Sequence, residues 1–130
     1  MTTDLWMLLA SAIFCLAMPY VAVVGVFLVP NGVAWAFGNR EAPLDLPEWT
    51  ARARRAHANL TENLAPFAIL VLIAHAAGLA NEATALGATI FFWARVAHFL
   101  IYTAGIPYLR TAAFAVGLVG EILILRELLG

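Results

Sequence analysis

The sequence predicts an all-α integral membrane protein, a bundle of four transmembrane helices. Three observations carry this. The 130 residues are 64% hydrophobic and only 12% charged, far from the soluble balance of roughly half apolar and a quarter charged. Mean hydropathy is +0.91. The apolar residues also fall into long runs separated by Pro, Gly and charge, and four spans of about 20 residues with short connections use nearly the whole length as one domain.

The first span is expected over about 5–30, because no charge interrupts Leu5 to Gly38 and Pro30-Asn31-Gly32 offers a place for the helix to loosen. Pro19 is expected to kink it, and Trp6 and Trp35 stand where interfacial anchors belong. No basic region precedes Asp4, so this run reads as a retained span and not a signal peptide. Cys15, the single cysteine, lies within it and reads as a buried structural thiol.

A solvated connection from Asn39 to Thr50 follows, with Pro43, Pro47 and mixed charges. The second span is expected over about 47–78, opening at Pro47-Glu48, where a Pro and an acid suit a first turn. Asn81 and Glu82 make a short turn before the third span, 83–104, which Gly105-Ile106-Pro107 breaks ahead of a fourth over 108–129.

All seven basic residues are Arg. Arg40, Arg52, Arg54 and Arg55 cluster in and just after the first connection and Arg110 just after the third, while the second has none. The positive-inside rule therefore places those connections in the cytoplasm and both termini outside it. No continuous solvated basic face exists to hold nucleic acid.

Polar residues inside the spans mark the candidate site, since charge at membrane depth faces a protein interior, a wet cavity or a ligand. Arg52, Arg55, Asn59 and Glu62 share one face of the second span; Arg95, His98 and Tyr102 share one face of the third. At about 1.5 Å rise per residue, Asn59 and Tyr102 stand near the cytoplasmic surface and Glu62 and His98 roughly 9–10 Å deep. Arg95 is deeper, near the level of Glu121, and has two candidate partners, Glu62 and Glu121. His57 points elsewhere. Interhelical bonding alone explains single polar residues, but so many Arg, carboxylate and amide groups at one level suit a small ligand with carboxylates and an amine. Among the possible metal ligands His57, His75, His98 and Glu62, no pair has the i, i+3 or i, i+4 spacing by which one helix supplies two ligands.

These residues resemble the MAPEG family, membrane-associated proteins in eicosanoid and glutathione metabolism, in its bacterial form. The resemblance rests on Arg55-Ala-His57-Ala-Asn59-Leu-Thr-Glu62-Asn-Leu-Ala-Pro66-Phe67 and on Arg95-Val-Ala-His98-Phe-Leu-Ile-Tyr102 followed by Pro107-Tyr-Leu-Arg110-Thr111. It implies four-helix subunits assembled as homotrimers, with glutathione between neighbours near the cytoplasmic face. Arg55 then resembles the grip on a glutathione carboxylate, Asn59 its companion, Glu62 the acid at the γ-glutamyl end and Tyr102 the lining of the peptide. Arg52, Arg95 and His98 complete the binding set. Arg110 and Thr111 fall where the family keeps an Arg and a Ser beside the thiol, where a cation favours the thiolate. The implied function is a glutathione transferase or peroxidase acting on a lipophilic electrophile or hydroperoxide. Ala58, in place of a basic residue found in some active members, and a first span without Arg favour the alternative: a non-catalytic binding or scaffold protein with another thiol or lipid ligand.

Overall fold

The computed structural model describes residues 1–130 and is wholly helical. The helices are α1 (Thr3–Phe27), α2 (Gly32–Phe37), α3 (Glu48–Ala76), α4 (Glu82–Ala104) and α5 (Pro107–Leu129). α1, α3 and α4 are long and apolar enough to cross a membrane. The three later long helices begin and end within two residues of expectation.

The first span differs. It was expected to run to about residue 30, yet α1 stops at Phe27 and the six-residue α2 follows. Asn31 takes a left-handed conformation at φ 61°, which a helix cannot carry through. A Cβ at Gly32 would meet the Val26 carbonyl oxygen, so only glycine lets the chain fold back this tightly. Trp35 donates its indole N–H to the Ala42 carbonyl at 2.6 Å, and Arg40 lies over its ring. Pro19 is accommodated inside α1.

The remaining ends have local causes. The Asn81 side chain accepts from the N–H groups of Ala83 and Thr84 at 2.8 and 3.0 Å, and Thr84 Oγ1 accepts from Asn81 N–H, a reciprocal cap that starts α4. Gly105, at φ 85°, ends α4 by donating its N–H to Ile101 and Tyr102. Pro107 then occupies the first turn of α5, where no N–H is needed.

The core lies among α1, α3, α4 and α5, centred on Phe67 and Phe91, whose rings stack at 3.8 Å. α4 and α5 form the most extensive pair. Gly87 and Gly120 bring their backbones together: a Cβ at Gly120 would lie 2.5 Å from the Gly87 carbonyl oxygen. Around this core large apolar side chains face outward, Leu16 at 74% and Trp93 at 61% exposure among them. Apolar side chains on the outside, as well as in the core, are what lipid as solvent selects.

At the far end from Arg110, Asp4 is buried, with Thr2, Thr84 and the Leu5 N–H around its carboxylate. Thr2 also bonds His75 at 2.9 Å, and Asn81 donates to Glu127 at 2.7 Å.

Candidate functional site

α3 and α4 run antiparallel, and the break between α4 and α5 folds α5 back beside them. The start of α3, the end of α4 and the start of α5 therefore meet, and the polar faces read from the sequence come together there. Arg52 is held in place on both sides: Nε donates to the Thr103 carbonyl at 3.0 Å and Nη1 to Glu48 at 3.3 Å, the subunit's single ion pair. Arg110 sets its guanidinium 4.4 Å from the Tyr102 ring centre, and that of Arg55 lies 5.9 Å from the same ring. His98 meets Tyr102 edge-on at 5.5 Å.

These groups line two adjoining clefts. One, about 160 Å³, is walled by Arg52, Arg55, Tyr102, Arg110 and the Gly105–Pro107 turn. The other, about 330 Å³, is walled by Asn59, His98, Tyr102, Arg110, Thr111 and Phe114. Tyr102 and Arg110 belong to both. Three guanidinium groups thus face a space with no acid in its lining, and Glu48, paired with Arg52, is 93% exposed, so the cleft is cationic. Such a cleft attracts anions.

Seven of the nine residues singled out in the sequence line these clefts. Arg95 does not; it is buried beneath, 2% exposed. Its Nη1 donates to Asn59 Oδ1 at 3.2 Å. Neither expected partner forms an ion pair with it, and its guanidinium rests instead between the rings of Phe91 and Phe114 at 5.0 and 4.8 Å. Glu62 lies outside the clefts, exposed on the protein's surface and without a polar partner. The α3 stripe spans roughly 80° of arc, and Glu62 is at the edge that turns away. His57 faces α1, beside Met18, Pro19 and Ala22.

Sequence reasoning passed over Phe114, which reads as one more lipid-facing residue, and over Gly105. A Cβ at Gly105 would lie 3.2 Å from Arg52 Nε and Cζ, and its φ is left-handed. Gly105→Ala is therefore expected to displace Arg52 and cost about 1 kcal/mol of stability. A thermal melt and a ligand titration on the same preparation test this; an unchanged melt with unchanged affinity contradicts the tight turn.

These features define an all-helical membrane protein with a cationic, aromatic-floored cleft at one end of its helices. The sequence profile of the MAPEG family matches residues 6–129, nearly the whole chain, and the protein belongs to that family. With its three long apolar helices it is an integral membrane protein. None of the curated proteins matches the sequence.

Proposed function

We propose that this protein binds glutathione in the cationic cleft and uses it on a lipophilic electrophile or hydroperoxide, as a membrane glutathione transferase or peroxidase. The carrying observation is the convergence of Arg52, Arg55 and Arg110 on a space lined by Tyr102 and lacking a buried counterion. The family includes glutathione transferases and peroxidases. Glutathione is a fair match for the charges: its two carboxylates suit the guanidinium groups, and Asn59 and Thr111 add polar contacts. Its thiolate supplies the nucleophile. Arg110, shared by both clefts, holds positive charge where the thiolate would sit, which keeps the thiol deprotonated at neutral pH.

The ligand's ammonium has no acid within the cleft, and this argues for assembly. Glu62 stands exposed on α3 at membrane depth, an expensive place for an unpaired carboxylate unless another subunit covers it. We read the protein as a homotrimer whose subunits each span the membrane four times, with α5 as the fourth span and only Arg110 and Glu121 charged between Tyr108 and Leu125. The clefts then lie at the cytoplasmic face of an inner membrane, by the distribution of Arg. A monomeric mass in a mild detergent that preserves the fold contradicts the trimer.

Millimolar glutathione is expected to raise the melting temperature of the solubilised protein, by about 2.7 kcal/mol of added stability at a hundred times Kd. The protein should also conjugate glutathione to a model electrophile or reduce a lipid hydroperoxide faster than the uncatalysed rate. Binding without either activity favours the second reading, a non-catalytic glutathione-binding or scaffold protein, which Ala58 and the Arg-free α1 support. Neither binding nor activity overturns the glutathione assignment.

A further inference from the structure

Arg95 has more donors than partners. Nη1 serves Asn59, but Nε and Nη2 are buried and bonded to nothing. The flanking rings of Phe91 and Phe114 cover the guanidinium and leave its N–H edge open. α5 supplies the space for that edge through Gly117, where a Cβ would stand 3.3 Å from Arg95 Nε. One helical turn further along the same face of α5 is Glu121, 7% exposed, with Oε1 unpartnered. A buried cation with an open edge and a buried carboxylate with an open oxygen, next to a glycine that clears the way, offset each other's cost.

The other side of Arg95 reaches the cleft. Because Asn59 Oδ1 accepts from Arg95, the remaining polar group of that amide, the Nδ2 donor pair, is what Asn59 offers to the cleft. We propose that Glu121 is a positioning residue for the ligand site: it holds Arg95 from behind through a bridging water, so that Arg95 fixes Asn59 as a donor toward the ligand. Asn59 then selects an acceptor, a carboxylate or carbonyl oxygen. This deepens the glutathione reading and rests on it for the ligand, while the link from Glu121 to Asn59 is tested without any ligand.

The experiment uses the full chain in detergent micelles with Glu121→Gln, Glu121→Met, Arg95→Met and the double Met variant. Each single Met change leaves one buried charge uncompensated, so both should lower the melting temperature and the double variant should recover much of the loss. The Asn59 side-chain amide resonance, assigned by its disappearance in Asn59→Ala, should shift in Glu121→Gln without ligand. Glutathione affinity should fall roughly tenfold or more in the Met variants and stay low in the double variant despite its recovered stability. If the protein turns over, KM rises while kcat at saturation holds. Additive melting losses, or an unmoved Asn59 resonance, overturn the link. Full affinity in the double variant makes the pair structural only and overturns the positioning role. Glu121→Gln, nearly isosteric, keeps the test open if a Met variant does not fold. Wild-type protein that ignores glutathione sinks the ligand reading alone, because the melting cycle and the resonance still decide the link.

Discussion

Arg110→Ala is expected to lower turnover of glutathione with a model electrophile roughly 100-fold, with a much smaller change in glutathione affinity. Arg110 lies over Tyr102, lines both clefts and has no acid partner. Its charge is therefore available to a thiolate and not spent on a neighbouring carboxylate. Arg55→Ala should do the reverse, raising KM with kcat nearly unchanged, since Arg55 borders only the cleft away from Thr111. Arg110→Lys separates chemistry from anchoring: a lysine retains the charge of a surface anchor but loses the planar fork. Equal, small effects of Arg110→Ala on kcat and KM, in correctly assembled protein, would leave Arg110 an interfacial anchor.

Gly120→Leu should cost on the order of 3 kcal/mol and take the ligand site with it. The atoms that meet a new Cβ at Gly120 are the Gly87 carbonyl oxygen at 2.5 Å and the Phe91 backbone nitrogen at 2.8 Å. Neither is a side chain that can swing aside, so α5 must move off α4. Arg110, Thr111 and Phe114 travel with it, because α5 carries all three. Ala115→Leu, exposed on the same helix, is the matched control and should melt near the wild type. A Gly120→Leu variant that melts with the control contradicts the close α4–α5 contact.

The hydrophobic runs disclosed the long helices because lipid-facing spans need little beyond length, and their ends are written in Pro107, Gly105 and Asn81. The short α2 stayed hidden, since the turn before it depends on one left-handed asparagine inside an uncharged stretch. At the site, helical phase puts Arg95, His98 and Tyr102 on one face of α4, yet only His98 and Tyr102 line a cleft. Phase says where a side chain leaves its helix and not where a long one ends. Arg95 reaches Asn59 on α3 from a position level with Glu121, which made its partner unreadable. Phe114 was missed for the converse reason: a lone phenylalanine in an apolar helix carries no mark that distinguishes a cleft wall from a lipid contact.

The ties at the end of the molecule remote from Arg110 set how the subunit breathes. There side-chain bonds join all four long helices: Thr2 and Asp4 to His75 and Thr84, and Asn81 to Glu127. At the cleft end side-chain polar bonds join α3 to α4, through Arg52 and Arg95, while α5 is held there by the Gly105–Ile106 turn from α4 and by Arg110 resting on Tyr102, with no polar bond to α3. The two ends are thus tied differently: side-chain bonds link all four long helices at one, while at the other α5 follows α4 and is free of polar bonds to α3. Among the long helices, amide exchange should be slower near Asp4 and Thr84 than in the first turns of α5, so the cleft wall that α5 supplies is the one that yields more easily.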